Sequence, residues 1–535
     1  MQKLAQLHPQ ANPPDVDVSY TMIATEILGT ALQRLSRGSS GGSSAWTYEH
    51  VKAACVCRWM FEATLQFMNN IVAGNLPDIP DLRACRLVPL KKKRTVDGVR
   101  PIAVGEVWLR VAVMCAMEAC HTKAQSLPPL QCGVGVARGA QCVGHAVKAS
   151  LLAHPGHVLL QTDFKTMFKL LCLASMLRAV RKRAPGLDKF CSSMYWKHSE
   201  LLVRGAAPHT FSYRLGCPRV TQRGMCFGLT VQEVLETPPE LFPELRLIVY
   251  AYDVYLQGSG EQVIAAYKGL VELSSGIGLQ VQPTKCIAYC TKSEAALAVA
   301  EKLGVRFAPS EEGIMVAGMP VGSDAKQHAD EVADKTVRNE DTLLELPVSA
   351  RNTFLLLRKS LQLRPNLPRC VVWEQVDLAM QRVPTNIKNA ACDILDIDIG
   401  EDPTACTVTS QMLMPHKCGG LRVSSHTEST SRSAYLSAAA LTEKALQKRN
   451  PAFSGPSGRL SQDTYAALRA AHNGLPALSL DAVVNDTPGL RTQVRRAQDE
   501  VMLQTLKAMF RNSATLSQQQ GASGASRTLP GCTVS

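Results

Sequence analysis

Leu247-Ile248-Val249-Tyr250-Ala251-Tyr252-Asp253-Val254-Tyr255-Leu256 is an apolar run interrupted by a single carboxylate. β-Branched and aromatic residues flank a short break, so residues 245–257 read as strand, tight turn, strand. A carboxylate beside buried strands needs a charge partner or a metal. A second one lies upstream, where Asp163 closes the run Val158-Leu159-Leu160-Gln161-Thr162. His157–Thr162 is short and apolar enough for a buried strand. Two such strands side by side would hold carboxylates around a Mg²⁺ site. Two-metal phosphoryl transfer uses that arrangement, with ions ~3.5–4 Å apart. Spacing alone leaves the plainer alternative open, in which each Asp merely ends a strand or occupies a turn.

Outward from these strands, helical spacing alternates with extended runs. Leu173, Met176, Leu177 and Val180 fall on one helical face, and Phe227, Val231, Val234 and Leu235 on another. Upstream, Arg83–Leu90 and Val99–Val104 are extended runs around a polar stretch ending in Asp97-Gly98, a hairpin signal. Ile23, Ile27, Leu28, Leu32 and Leu35 predict a helix within 19–36; a Gly/Ser loop follows, and Thr47 is the N-cap expected for the next helix. Past residue 330 the pattern is mostly helical, and from Ser513 the Ser/Gln/Gly/Thr composition predicts a disordered tail. No internal repeat is evident.

Composition limits the class. The chain has 535 residues, enough for about three domains, and 46% are hydrophobic, which permits a large core. Lys and Arg exceed Asp and Glu by 13, which suits either a polyanion-binding protein or a basic globule. The 18 cysteines include no CxxC pair. Cys55 and Cys57, and Cys286 and Cys290, lack partners for a zinc set, so buried reduced thiols are expected. The polar first residues carry no secretion signal, and no apolar run is long enough for a bilayer. A nuclear or cytoplasmic protein without a membrane partner is expected.

The words around the two aspartates carry a family likeness. Asp163-Phe164-Lys165-Thr166-Met167-Phe168 resembles the first polymerase motif of reverse transcriptases, Asp-Phe-x-x-x-Phe after an apolar strand. Tyr250-Ala251-Tyr252-Asp253 resembles their Tyr-x-Asp-Asp turn. Between them, Gln222-Arg223-Gly224-Met225-Cys226-Phe227-Gly228 is similar to Gln-Gly-Asp-Pro-x-Gly. Downstream, Gly278-Leu279-Gln280-Val281-Gln282-Pro283-Thr284-Lys285 is similar to Gly-Leu-x-x-Asn-x-x-Lys, and Gly313 to Gly322 looks like the primer-gripping turn. Leu90-Lys91-Lys92 with Gly98-Val99-Arg100-Pro101-Ile102 resembles the fingers segment. Gln131-Cys132-Gly133-Val134, Ser43-Ser44-Ala45-Trp46-Thr47 and Gly419-Gly420-Leu421 resemble further segments of non-LTR retrotransposon enzymes. Each motif is weak alone; their shared order over about residues 37–425 makes the set specific.

The resemblance implies an α+β right-hand polymerase with fingers, palm sheet and helical thumb. The corresponding spans are a helical extension over 1–75, fingers over 76–155, palm over 156–330, helical thumb over 331–450 and a C-terminal region over 451–535. It implies RNA-directed DNA synthesis with Mg²⁺ or Mn²⁺, dNTP substrates, an RNA template and a DNA primer or target. Asp163, Asp253 and the Phe164 carbonyl would be metal ligands, and Lys285 the general acid for pyrophosphate. Lys91 and Arg100 would hold the triphosphate. Phe168 would be the steric gate, and Gln222 and Gly224 would shape the nucleotide pocket. Lys92, Lys93 and Arg94 would attract phosphate more loosely. Arg178, Arg181, Lys182 and Arg183 suit either a nucleic-acid contact or a solvated face.

The match departs from the family at its centre. Tyr252 stands where the first Asp of Tyr-x-Asp-Asp binds metal. Met225-Cys226 replaces Asp-Pro, Gln282 replaces Asn, and Lys169 follows Phe168 where Asn is common. A phenol with a pKa of ~10 is a poor Mg²⁺ ligand, so weakened or absent activity is expected, as in a decayed genomic copy. The alternative is a non-catalytic RNA- or DNA-binding protein that kept the polymerase fold. No nuclease carboxylate set is evident: Asp393, Asp396, Asp398 and Asp402 alternate with apolar residues and read as the solvated side of an amphipathic stretch.

Overall fold

A computed structural model of the chain describes residues 20–36, 38–75, 80–91, 99–119, 131–133, 136, 139–165, 171–195, 199–203, 209–213, 223–251, 253–322, 325–359, 371–396, 412, 421, 428–447, 463–464, 466–467, 470 and 504. The tail after Ser513, Asp97-Gly98, Gly419-Gly420, Asp398 and Asp402 lie outside them. The chain is α+β and divides into two compact units, Met1–Val143 with Ser150–Ser310, and Gly144–Ala149 with Glu311–Ser535.

The first unit opens with helices α1 (Thr25–Arg34), α2 (Tyr48–Ala54) and α3 (Arg58–Val72). Ile23, Leu28 and Leu35 are buried, and Ile27 and Leu32 pack against the same core, so the apolar stripe marks the inward face. Thr47 is the N-cap of α2, and its N–H donates to His50 Nδ1 at 3.1 Å. β1 (Cys85–Lys91) and β2 (Val99–Gly105) run antiparallel, and α4 (Val107–Ala119) follows at once.

Glu106, between β2 and α4, organises the Gly/Ser loop before α2. Its carboxylate accepts from Ser43 Oγ (2.9 Å), Ser44 N–H (3.0 Å), Ser44 Oγ (2.6 Å) and Val107 N–H (3.0 Å). Burial pushes this carboxyl up, but the bonds from Ser44, Val107 and Ser43 together outweigh it and hold the group below its usual range. A Cβ on Gly42 would lie 2.7 Å from Glu106 Cα, so only glycine permits this approach.

Then come α5 (Gly139–Ala153), β3 (Val158–Thr162), α6 (Leu173–Arg183), α7 (Asp188–Tyr195), β4 (Ser199–Val203), β5 (His209–Tyr213) and α8 (Arg223–Leu241). They are followed by β6 (Arg246–Tyr250), β7 (Asp253–Gly258), α9 (Gly260–Gly276), β8 (Ile287–Tyr289), α10 (Ser293–Leu303) and β9 (Arg306–Ala308). One sheet has the order β2-β1-β4-β5 and another β6-β7-β3-β8-β9. In the second sheet β8 and β9 are parallel and the other neighbours antiparallel. Val158, Leu160, Leu247, Val249, Val254 and Leu256 turn to one core with Met176, Val180, Val231, Val234 and Val263 of α6, α8 and α9. Burying each such side chain contributes ~1.5–3 kcal/mol before entropy.

The basic end of α6 is largely neutralised from within. Arg181 pairs with Asp188 (2.7 Å), Lys182 with Glu233 (3.0 Å) and Arg183 with Glu236 (2.6 Å), while Arg178 is exposed. Three of these four residues therefore tie α6 to α7 and α8.

In the second unit, β10 (Ile314–Val316) and β11 (Met319–Val321) form a hairpin whose turn residues Ala317 and Gly318 have φ values of 49° and 82°. Positive φ at both central positions is the two-residue hairpin signature. Helices α11 (Ala325–Leu344), α12 (Ala350–Lys359), α13 (Asp377–Leu395) and α14 (Glu428–Gln447) follow. Ala329, Ala333, Met380, Val383, Ile387 and Ala390 share a core. Asp393 and Asp396 are exposed at the end of α13.

Glu340 on α11 is 7% exposed, and its Oε2 has no hydrogen-bond partner among the described residues. Burial first, then the charges of Asp341 and Asp393, push its carboxyl up to about 7. A folded-state value above the unfolded 4.5 means that the folded chain holds this proton more tightly. The cost of ionisation therefore appears as pH rises from 4.5 to about 7 and is complete above that. We expect Glu340→Gln to raise unfolding stability by roughly 2–3 kcal/mol at pH 8 and by almost nothing at pH 4.5. Denaturant unfolding of both proteins at the two pH values checks this; equal gains at both would sink it.

Candidate functional site

β3 and β7 pair from Val158 opposite Gly258 to Thr162 opposite Val254. One further step in that register sets Asp163 against Asp253. Directly opposed antiparallel residues have Cα atoms about 4.5–5.5 Å apart and share a face of the sheet. Thr162 and Val254 are buried on the helix-covered face, so strand alternation puts both carboxylates on the other. Leucine-rich runs fix this, because a one-residue slip would turn Leu160 and Leu256 out of the core. Tyr250 pairs with Asp253, and Ala251 lies in the turn between β6 and β7. Ala251 has φ 56°, a left-handed conformation that costs about 1–2 kcal/mol for a residue with a Cβ.

Lys285 reaches the same place by a local ladder. Helix α9 ends at Gly276, Gly278 just past its C-cap has φ 81°, and Leu279 buries its side chain. Residues 280–282 then run antiparallel to 163–165: Lys165 N–H donates to Gln280 O (2.7 Å) and Gln282 N–H to Asp163 O (2.8 Å). A short 3₁₀ turn, Pro283–Lys285, follows, and Lys285 Nζ lies 2.9 Å from Asp163 Oδ2. Phe164 and Val281 form the wide pair of this ladder, so the Phe164 carbonyl points away from residues 280–282 while its ring is buried in the core.

Burial, then the charge of Asp163, pushes the Asp253 carboxyl up to about 6. Two like charges in a half-buried place favour a cation between them. Among the described residues, no group of three or more His, Cys, Asp or Glu side chains is arranged to hold a metal ion. Mg²⁺ is commonly held by one or two carboxylates plus substrate phosphate and water. Asp163, Asp253 and the Phe164 carbonyl are hard oxygen donors of that kind, so the residues present fit a Mg²⁺ or Mn²⁺ ion that shares its ligands with phosphate. Cys286 and Cys290 are fully buried.

The turn is also gripped from the strand edge. Gln131 bridges to Val249 in parallel register, and Cys132 N–H donates to Val249 O at 2.7 Å. A Cβ on Gly133 would come within 2.0 Å of Ala251 N, and one on Gly139 within 1.7 Å of Cys132 O. Both contacts are with backbone, so neither can yield without moving the segment. We expect Gly139→Ala to destabilise the chain by about 2–3 kcal/mol, visible as a Tm several degrees lower. An unchanged Tm would contradict the close approach.

Sequence reasoning named Asp163, Phe164, Asp253 and Lys285, and these four come together. Gly224 lies in the first turn of α8. Lys91 pairs with Val99 and Arg100 with Leu90 across the β1–β2 hairpin. Phe168, Gln222 and Tyr252 lie outside the described residues, as do Lys92, Lys93 and Arg94. The Gln131 contacts, and the backbone ladder that delivers Lys285, were not foreseen. A neutral amide acting across 120 residues leaves no periodicity or charge pattern to find.

No family model matches this chain, and no curated protein sequence matches it. Among the described residues, no helix is long and apolar enough to cross a membrane.

Proposed function

We propose that this chain is the polymerase part of a non-LTR retrotransposon reverse transcriptase, built for RNA-directed DNA synthesis from dNTPs, and that Tyr252 lowers its rate. The observation that carries this reading is the convergence of Asp163, Asp253 and Lys285, from three separate motifs, at one end of the antiparallel pair β3 and β7. On this reading the five-stranded sheet is the palm, the β1–β2 hairpin belongs to the fingers, and the helices after residue 330 form the thumb. A bound Mg²⁺ or Mn²⁺ pair would supply charge neutralisation at the phosphates and activation of the primer hydroxyl. Asp163 and Asp253 would hold it, together with the Phe164 carbonyl. Lys285 Nζ carries the proton for the departing pyrophosphate, and Lys91 and Arg100 hold the triphosphate. Phe168 excludes a 2′-hydroxyl, and Gln222 and Gly224 shape the pocket.

Primer extension on an RNA template with a DNA primer, dNTPs and Mg²⁺ or Mn²⁺ tests this. Weak extension that disappears in Asp163→Asn is the expected result. Extension that survives in Asp163→Asn would overturn it.

A second reading is favoured by Tyr252 and by the net charge of +13. It is a protein that binds RNA or DNA on the retained fold without synthesis. Its sign is tight filter binding that weakens steeply between 50 and 200 mM salt, by roughly 10³-fold for six phosphate contacts, with no primer extension. Negligible binding even at low salt would remove this reading.

A further inference from the structure

Gln131 is 1% exposed, and both ends of its amide engage one residue of the β6–β7 turn. Its Oε1 accepts from Ala251 N–H at 2.8 Å and from Gly133 N–H at 2.8 Å. Its Nε2 donates to Ala251 O at 3.2 Å. A side-chain amide has the donor and acceptor of a peptide group, so Gln131 adds one rung beyond the point where the β6–β7 ladder ends, at Tyr250 and Asp253. Ala251 is the residue held in a left-handed conformation, and such a conformation persists only where its surroundings over-determine it. Gly133 supplies the second half of the grip, since any side chain there would strike Ala251 N. Two residues beyond Ala251 stands Asp253.

We propose that Gln131 is a positioning residue: it holds the Ala251 backbone against the sheet edge and thereby sets where Asp253 stands relative to Asp163. Its effect on metal binding rests on the polymerase reading; its effect on the turn does not. Loss of such an outer partner costs 10–100-fold in metal affinity in characterised sites.

The test uses the full chain, Gln131→Met and Gln131→Glu. Hydrogen–deuterium exchange is followed in peptides spanning 247–258, with α9 and β8 as controls. Mn²⁺ alone is titrated by electron paramagnetic resonance, with Asp163→Asn and Asp253→Asn as references. Gln131→Met keeps the length of the side chain and removes its hydrogen bonds. We expect exchange in 247–258 to rise about tenfold with the controls unchanged, and Mn²⁺ affinity to fall about tenfold. Gln131→Glu keeps the acceptor and turns a carboxylate oxygen on the Ala251 carbonyl, so a rise confined to 247–258 is expected again. This variant carries the test if Gln131→Met does not fold.

Unchanged exchange in 247–258, or faster exchange everywhere, would overturn the proposal. Faster exchange at the turn with unaltered Mn²⁺ affinity would overturn the link to Asp253. Wild-type chain that binds Mn²⁺ no better than Asp163→Asn would sink the polymerase reading, while exchange still judges the role of Gln131 at the turn.

Discussion

Replacing Tyr252 with aspartate is expected to raise metal-dependent primer extension by the full chain at least about a thousandfold, the several kcal/mol that a lost direct ligand represents. The rest of the carboxylate constellation is already assembled. Asp253 opens β7 beside Tyr252, and the strand register sets it against Asp163. A phenol contributes no charge near neutral pH, because its pKa is ~10. An aspartate at 252 would add a third carboxylate beside Asp163 and Asp253. Primer extension with Mg²⁺ and with Mn²⁺, wild type against variant, reads the effect directly. Equal, negligible extension by both would shift the defect to Met225-Cys226, Gln282 and Lys169.

Those departures differ in what they disturb. Gln282 serves Asp163 through its backbone N–H, and among the described residues its side chain reaches Thr284 Oγ1, at 3.5 Å. The ladder therefore tolerates Gln for Asn. Cys226 is 2% exposed in α8, with its thiol 3.8 Å from that of Cys191, so it serves as a small core residue where α7 meets α8. Neither change touches the pairing of β3 and β7, whose ends carry the aspartates. Of these three substitutions, Tyr252 carries the clearest chemical penalty.

What could be read from the sequence follows the range of the interaction. Val158–Thr162 and the strands around Tyr252 were legible because burial on both sides writes a continuous apolar run. The hairpin of β1 and β2 was legible from two extended runs and Asp97-Gly98, and Thr47 from its position before an apolar stripe. That Asp163 and Asp253 meet was legible only through their motifs, since nothing local dictates which strands pair. The basic end of α6 was ambiguous, because its partners Asp188, Glu233 and Glu236 are brought to it by packing. Glu106 gave no signal at all: its role lies in four hydrogen bonds, three of them to a loop some sixty residues earlier.

Asp163 and Lys285 should separate cation binding from turnover. Asp163 Oδ2 accepts the Lys285 ammonium at 2.9 Å, so a divalent cation must displace or share that partner. Asp163→Asn removes the negative charge from both the cation and Lys285. In the Tyr252→Asp background it should return extension to the level of the blank and weaken Mn²⁺ binding at least about a hundredfold. Lys285→Met should do something different. With the competing ammonium gone, Mn²⁺ should bind about three- to tenfold tighter, while extension by the Tyr252→Asp chain falls about 10²-fold for want of a proton donor. The Lys285 side chain is 59% exposed, and an ion pair of that kind contributes no more than about 1 kcal/mol to stability. Its removal should therefore leave the Tm within a few degrees of the parent. Tighter Mn²⁺ binding with slower synthesis, at unchanged stability, is a combination that a purely structural Lys285 could not produce. Weaker Mn²⁺ binding in Lys285→Met, or undiminished extension, would remove Lys285 from the chemistry and leave it as a surface partner of Asp163.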